Sequence, residues 1–140
     1  MQAGNRVSIT GIMKTNADGE RYIEASSVEV TGTGSVAPVH INARALGGAD
    51  LFYNPSTGGG QCGVVDGLGL NNIGLLVTTW GKIAYLNGGY MLDKTARILP
   101  EGMSLSGKDI YIRITGISSC YREADGLHPT ILPTAITPLD

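Results

Sequence analysis

The chain has 140 residues, of which 16% are charged, and its formal net charge is −2. This length suits one compact domain or two small ones, and the 42% hydrophobic content argues against a disordered protein. The 10 lysines and arginines are spread along the chain, which counts against strong nucleic-acid binding, because such binding uses a basic surface. No apolar stretch is long enough to cross a bilayer, and the first residues lack the apolar core of a signal peptide.

The first predicted unit is a β-hairpin within residues 1–34. Residues 6–13 alternate between apolar and polar side chains, as a half-buried strand does. Asp18-Gly19 then marks a turn, and residues 21–30 return as the second strand. The candidate core contacts of this hairpin are Val7, Ile9, either Tyr22 or Ile23, Val28 and Val30.

Residues 35–73, called the connector, hold most of the surplus glycine and show no sustained helical or strand period. Within them INARALGG predicts one helical turn that ends at Gly47. A long segment of this kind inside a compact chain is unusual and often functional. We expect an ordered connector that packs on another surface through its apolar residues, which are Leu51, Phe52, Tyr53, Val64, Val65, Leu68 and Leu70.

Residues 74–140 predict a series of strands. Strand patterns cover 75–86, 90–94 and 96–102, and a turn pattern at 87–89 separates the first two. A long alternating strand follows at 110–120. The final segment is rich in proline, which predicts an edge strand, because proline has no amide hydrogen to donate.

Three motifs in residues 74–140 carry a family resemblance. WGKI at 80–83, YMLD at 90–93 and IRITGI at 112–117 resemble the first, second and fourth strands of oligonucleotide/oligosaccharide-binding (OB) modules of the nucleic-acid-binding, tRNA and helicase type. The resemblance implies a five-stranded Greek-key barrel, with the usual helix between strands three and four absent or reduced to 101–105. Such modules recur in tandem in bacterial extracellular proteins of unassigned role. This implies an extracellular or cell-surface location and carries over no catalytic residue.

The first hairpin resembles the last two strands of the same barrel. Both contain Ile-Thr-Gly-Ile, at 9–12 and 114–117, followed by a polar segment and Asp-Gly. The predicted fold is therefore all-β: a hairpin at 1–34 that is a partial OB-like unit, the Gly-rich connector at 35–73, and a five-stranded OB-like barrel at 74–140. An isolated hairpin is marginal in water, so it either packs on its own barrel or completes a sheet in a neighbouring molecule.

Completing a neighbour's sheet is a head-to-tail arrangement, which can generate a filament or tube. We therefore expect a non-enzymatic structural module that forms a homo-oligomer or polymer. The predicted assembly residues are Val7, Ile9, Tyr22, Ile23, Val28, Leu51, Phe52 and Tyr53.

The alternative function is an OB-type binding module for single-stranded nucleic acid or an oligosaccharide. Its stacking face would contain Trp80, Tyr85 and Tyr90, with Lys82 as a nearby cation. Packing in the core or at the rim is the favoured interpretation of these aromatic residues.

The two cysteines, Cys62 and Cys120, match no metal or redox spacing. One disulfide between them would close a long loop and stabilise the fold by about 2–4 kcal/mol. A disulfide and a pair of buried free thiols are both compatible with the sequence.

No catalytic, metal or cofactor site is predicted. His40 and His128 have no His, Cys or carboxylate at a metal-ligand spacing, which predicts surface or loop histidines. Asp18 and Asp125 belong to Asp-Gly turns, and turn formation explains both without calcium.

Overall fold

The computed structural model describes residues 2–86, 89–98 and 110–139. These residues form ten β-strands and one short 3-10 helix, arranged in three sheets, so the predicted all-β class is confirmed. Most of the predicted turn at 87–89, and the segment 101–105 where a reduced helix was expected, lie outside the described residues. No helix in the described part of the chain is long and apolar enough to span a membrane.

The first two strands form a long hairpin, which we call the arm. Strands β1 (Asn5–Thr15) and β2 (Arg21–Thr33) are antiparallel partners along their length, which confirms the predicted hairpin. In the turn between them, Asn16 Oδ1 accepts a 2.9 Å hydrogen bond from the amide of Glu20. Gly19 has φ +87° in this turn, a conformation that glycine adopts without steric cost.

The arm contains a β-bulge beside Gly11. The register shifts between Thr10 and Gly11, which leaves Ser26 as the extra residue on β2. The Ser26 hydroxyl donates a 3.1 Å hydrogen bond to the carbonyl oxygen of Thr10. A β-carbon on residue 11 would lie 2.3 Å from the carbonyl oxygen of Glu24, so the close approach of the two strands here requires glycine.

The connector contains regular structure that its sequence pattern does not show. Strand β3 (Val39–His40) begins it, and β4 (Leu51–Asn54) and β5 (Gly59–Gln61) form a small antiparallel hairpin. A 3-10 helix at Ala43–Ala45 lies between them. Gly47 follows this helix with φ +79°, which confirms the helical turn predicted to end there.

The other five strands belong to a six-stranded mixed sheet, called the main sheet. Their bounds are β6 (Leu76–Leu86), β7 (Gly89–Leu92), β8 (Ala96–Ile98), β9 (Tyr111–Glu123) and β10 (Gly126–Leu139). Pairings run from β6 through β7, β8, β10 and β9 back to β6, and β3 adds to β6 in parallel. The ring is uneven in its described part: there β8 and β10 pair in parallel through two residues each, whereas β9 and β10 pair over their whole length.

The core lies on the inner side of this ring. On β9 the buried Ile112 and Ile114 alternate with the exposed Tyr111 and Arg113, as expected for a strand with one covered face. The main buried cluster consists of Ala43, Leu46, Val77, Ile83, Leu92, Ala96, Ile98, Ile112, Ile114 and Ile131. The first two of these come from the connector, so the connector is anchored in the core.

Strand β10 is an edge strand over only part of its length. Thr130 and Ile131 pair on both sides, with β9 and with β8. The predicted edge position is therefore wrong at these two residues. Pro129, Pro133 and Pro138 lie outside the stretch that pairs on both sides among the described residues.

The hairpin of β9 and β10 has a bulge like that of the arm. The register shifts opposite Thr115 and Gly116, which leaves Thr134 as the extra residue on β10. The Thr134 hydroxyl donates a 3.1 Å hydrogen bond to the carbonyl oxygen of Thr115. A β-carbon on residue 116 would lie 2.3 Å from the carbonyl oxygen of Leu132.

Candidate assembly surface and neighbouring sites

The arm has one continuous apolar face. Residues that are directly opposite in an antiparallel pair share a face. On this face the cross-strand pairs are Val7 with Val30, Ile9 with Val28, Gly11 with Ala25, and Met13 with Ile23. No polar side chain interrupts the four pairs, and we call this set the apolar face.

The opposite face of the arm is mostly polar. Its cross-strand pairs are Ser8 with Glu29, Thr10 with Ser27, Ile12 with Glu24, and Lys14 with Tyr22. Lys14 Nζ lies 2.7 Å from a carboxylate oxygen of Glu24. Among the predicted assembly residues of the arm, Tyr22 therefore lies on the polar face, whereas Val7, Ile9, Ile23 and Val28 share the apolar face.

The apolar face is not covered by the other residues that the structure describes. The side chains of Ile9, Met13, Ile23, Val28 and Val30 are 43% to 51% exposed. The expectation that the hairpin residues are core contacts is therefore wrong within one molecule, because a two-stranded sheet has too few strands to bury its own face. A continuous apolar surface of this kind, unlike scattered exposed residues, is a candidate interaction site.

The turn of the arm docks on the rest of the molecule. Gln61 Oε1 accepts a 2.8 Å hydrogen bond from the amide of Arg21, and Gln61 Nε2 donates a 3.0 Å bond to the carbonyl oxygen of Gly19. The Ser119 hydroxyl donates to the carboxylate of Glu20. These contacts fix the arm at its turn while its apolar face stays exposed.

The small β4–β5 hairpin adds aromatic surface at the docked end of the arm. Phe52 is 92% exposed and has φ +50°, which is rare for a bulky residue. Leu51 and Tyr53, the other predicted assembly residues of the connector, are also exposed. Arg21 pairs with Thr15 on the side of the apolar face, and its guanidinium donates a 2.7 Å hydrogen bond to the carbonyl oxygen of Gly58. The small hairpin therefore adjoins the apolar face.

The expectation that the apolar residues of the connector are packed is confirmed for few of them. Val64 is buried, but the other six are exposed, and for them the expectation is wrong: Leu51, Phe52, Tyr53, Val65, Leu68 and Leu70. The connector turns back on itself through glycines with φ > 0, which leaves these side chains on the outside of its turns.

A buried polar network holds the connector in place. Asn72 Oδ1 accepts hydrogen bonds from the Gly47 amide at 3.0 Å and from the Ser118 hydroxyl at 2.6 Å. Asn72 Nδ2 donates a 2.6 Å bond to the carbonyl oxygen of Ala45. Because Ser118 belongs to β9, these bonds join the connector to the main sheet.

The four residues predicted as a stacking face separate into two groups. Tyr85 and Tyr90 are directly opposite, and their ring centroids lie 5.2 Å apart in an edge-to-face arrangement. Tyr90 also packs against the core. Trp80 and Lys82 alternate with the buried Gly81 and Ile83 and so belong to the outer face of β6.

On the outer face of β6 and β9, two aromatic residues alternate with two cations. Trp80 lies opposite Arg113, and Lys82 lies opposite Tyr111. Both aromatic side chains are about half exposed. A surface with this composition could stack bases and neutralise phosphates.

The two cysteines meet in a second, smaller buried cluster. Cys120 packs with Val64 and Leu127, and Cys62 contacts the same cluster. Both are free thiols. Burial raises the pKa of Cys120 to about 12 and also raises the pKa of Cys62, so both sulfur atoms stay protonated near neutral pH. Disulfide formation between them stays a prediction.

His128 has carboxylate neighbours that the sequence interpretation missed. Asp125 Oδ1 lies 2.8 Å from His128 Nε2, and Glu123 Oε2 lies 3.9 Å from the same nitrogen. The hydrogen bond from His128 lowers the pKa of Asp125. The expectation that His128 has no carboxylate at ligand spacing is therefore wrong, because the tight turn of the β9–β10 hairpin reverses the chain between these residues. The other histidine, His40, is exposed on β3.

No family model, curated protein or solved structure that was compared with this chain matches it.

Proposed function

We propose that this chain is a non-enzymatic structural module that self-assembles through its arm and connector. The observation that carries the proposal is the apolar face, whose consecutive cross-strand pairs contain no polar side chain and remain exposed in the single chain. Burial of such a face in a neighbouring molecule would stabilise the contact by about 25 cal/mol for each Å² of apolar surface removed from water.

The same proposal includes an OB-type barrel at 74–140 and an arm that is a partial copy of it. A ring of five strands that is weakly closed between β8 and β10 supports a partly open barrel of this type. The arm and the β9–β10 hairpin share a bulge at Ile-Thr-Gly-Ile, and in each the extra hydroxyl residue donates a 3.1 Å bond to the threonine carbonyl. This common irregularity supports a common origin of the two hairpins.

The two hairpins differ in what flanks them. In the main sheet β9 pairs with β6 and β10 pairs with β8, whereas in the described residues β1 and β2 pair only with each other. The arm thus lacks the strands that flank its counterpart, and a second molecule can supply them. Such a contact joins different surfaces of two copies, so it is head-to-tail and can extend into a filament or tube. An extracellular location, implied by the family resemblance, belongs to the same proposal.

Lysine substitutions on the two faces of the arm test the proposal. The double variant Ile9→Lys/Val28→Lys changes one pair of the apolar face, and Thr10→Lys/Ser27→Lys changes the adjacent pair of the polar face. Both place two like charges opposite each other, so the repulsion within the arm is matched. Sedimentation velocity and negative-stain electron microscopy across a concentration series would measure assembly.

We expect the unchanged chain and the polar-face variant to form regular polymers as concentration rises, and the apolar-face variant to remain monomeric. A chain that stays monomeric at every concentration would contradict the proposal. Equal assembly by the two variants would show that the apolar face is not the contact.

A second function, binding of single-stranded nucleic acid or an oligosaccharide, is favoured by the outer face of β6 and β9. There Trp80 and Tyr111 alternate with Arg113 and Lys82. Fluorescence anisotropy with oligo-dT at low and high salt tests the nucleic-acid case. Nucleic-acid binding would be supported if affinity falls as the salt concentration rises and also falls in Trp80→Ala, but is unchanged in Tyr85→Ala. Absence of binding at low salt would contradict it.

A further inference from the structure

The turn of the β9–β10 hairpin brings three ligand-bearing side chains together. In the register of this hairpin Glu123 lies opposite Gly126, and Tyr121 lies opposite His128. Glu123 and His128 therefore project from the same face, and Asp125 lies in the turn between their strands. One oxygen or nitrogen ligand atom from each of Glu123, Asp125 and His128 lies within 4.8 Å of the other two.

We propose that Glu123, Asp125 and His128 bind a divalent transition-metal ion of the Zn²⁺ type. This inference is independent of the assembly proposal, since the site is built by the main sheet alone. Both carboxylates approach the same nitrogen, His128 Nε2, at 2.8 Å and 3.9 Å. A metal ion bound here would replace the proton shared by His128 and Asp125, with the Glu123 carboxylate as a further ligand.

The positions of the ligand atoms suit a small adjustment on binding. Zn²⁺ binds nitrogen and oxygen at about 2.0–2.2 Å, so the ligand atoms of a tetrahedral site lie roughly 3.4 Å apart. Asp125 Oδ1 would move away from His128 Nε2, which now lies 2.8 Å from it, and Glu123 Oε2 would move closer than its present 3.9 Å. The Glu123 and Asp125 side chains are exposed and can move toward the ion, whereas the His128 ring is partly buried. The Tyr121 ring also lies next to the His128 ring, with the two centroids 5.6 Å apart.

The charge of the site favours a cation. Two carboxylates and a neutral imidazole give the three ligands a charge of about −2 when the ion binds. Arg97 lies over the ring of Tyr121, with its guanidinium carbon 5.5 Å from the centroid. Three protein ligands leave at least one coordination position for water in a tetrahedral arrangement. Mixed nitrogen and oxygen ligands suit Zn²⁺ and its neighbours in the first transition row better than Ca²⁺ or Mg²⁺.

Calorimetric titration of the full chain with ZnCl₂, repeated with CaCl₂, tests the proposal. We expect one Zn²⁺ per chain and no comparable heat with Ca²⁺. His128→Gln and Glu123→Gln should each weaken Zn²⁺ binding by about tenfold or more, since even a group behind a ligand contributes that much. His40→Gln is the matched control, because it removes the other of the 2 histidines from an exposed position, and it should bind like the unchanged chain.

Titration with Co²⁺ separates this site from the two cysteines. Ligation by nitrogen and oxygen gives weak visible bands, whereas thiolate ligation adds intense charge-transfer absorption in the near ultraviolet. We expect the first pattern, together with a shift of the His128 ring protons in the NMR spectrum. Absence of Zn²⁺ binding, binding unchanged in Glu123→Gln, or a thiolate spectrum lost in Cys62→Ser would each overturn the proposal. Glu123→Gln keeps the test valid even if His128→Gln fails to fold, because Glu123 is exposed.

Discussion

Gly19 and Leu127 are in close contact where the turn of the arm meets the main sheet. A β-carbon on Gly19 would lie 2.7 Å from Leu127 Cδ2, and Leu127 is buried. Gly19 also has φ +87°. The docking of the arm therefore requires glycine at position 19 for two reasons: the backbone has a positive φ there, and no space is left for a side chain.

Gly19→Ala should undock the turn of the arm. Gly69→Ala is the matched control, because Gly69 has φ +73° and a β-carbon there would meet no atom within 4 Å. Both variants incur backbone strain of about 1–2 kcal/mol, but only Gly19→Ala overlaps a buried neighbour. We therefore expect the free energy of unfolding of Gly19→Ala, measured in urea, to be about 1–3 kcal/mol lower than that of Gly69→Ala, which is the usual cost of overpacking. Equal losses in the two variants would mean that the turn tolerates a side chain facing Leu127.

The Cys120 thiol should be protected from alkylation and from disulfide reagents in the native state. Burial raises its pKa to about 12, and the carbonyl oxygen of Asp18 accepts a 3.4 Å hydrogen bond from its sulfur. At about pH 8 the thiolate fraction is then roughly a thousandfold below that of an ordinary cysteine. Reaction with an aromatic disulfide reagent should be slow without denaturant and fast in urea. Rapid native reaction of Cys120 would contradict its burial beneath the arm.

The Cys120 thiol should also make the free energy of unfolding depend on pH in the alkaline range. The folded-state pKa of Cys120 lies above the unfolded value of 9.0, so the folded chain retains a proton that the unfolded chain releases. The stabilisation is fully present below about pH 9 and declines as pH rises toward about 12. Urea unfolding of Cys120→Ala across this range should show a shallower loss than the unchanged chain. Identical slopes would contradict the prediction.

Substitutions of Asn72 and Ser118 should have non-additive effects on the free energy of unfolding. Asn72→Ala leaves the Ala45 carbonyl without its partner, whereas the Gly47 amide keeps a 3.2 Å hydrogen bond to the Ser118 hydroxyl oxygen. Each buried group that loses its partner costs about 1–3 kcal/mol. Because the Ser118 hydroxyl bonds to the same oxygen at 2.6 Å, the double-mutant cycle with Ser118→Ala should give a coupling of about 0.5–3 kcal/mol by urea unfolding. Additive losses would show that the two residues act separately.

Local patterns predict much of this fold because the interactions that form them are local. Alternation together with Asp18-Gly19 predicts the arm, and a Gly at position 47 predicts the end of the short helix. The same alternation shows that one face of the arm is apolar, but it cannot show what covers that face. The exposure of Ile9 and Phe52 is therefore a result of tertiary structure that no local pattern contains.

The cluster around His128 could have been predicted from the sequence. Asp125-Gly126 is a turn pattern between two alternating strands, and a tight turn at that point reverses the chain and places Glu123 and His128 on one face. The Asn72 network could not have been predicted in this way. It joins Asn72 through side-chain atoms to Gly47 and Ser118, which lie 25 and 46 positions away in the sequence. Such contacts depend on how the connector crosses the main sheet, and no periodicity encodes that path.

Substitution of one isoleucine in the core and one on the arm should separate folding from assembly. Ile114 is fully buried, whereas Ile9 is 44% exposed. At low concentration Ile114→Ala should lower the free energy of unfolding by about 2–5 kcal/mol, and Ile9→Ala should change it by about 0.5 kcal/mol or less. At higher concentration, contact between copies stabilises the folded chain by mass action, so the midpoint of thermal unfolding should rise for the unchanged chain and for Ile114→Ala but less for Ile9→Ala. Calorimetric scans over a concentration series measure this difference. A midpoint that is independent of concentration in all three proteins would show that the apolar face is stable in water without a partner, and the arm would then need another explanation.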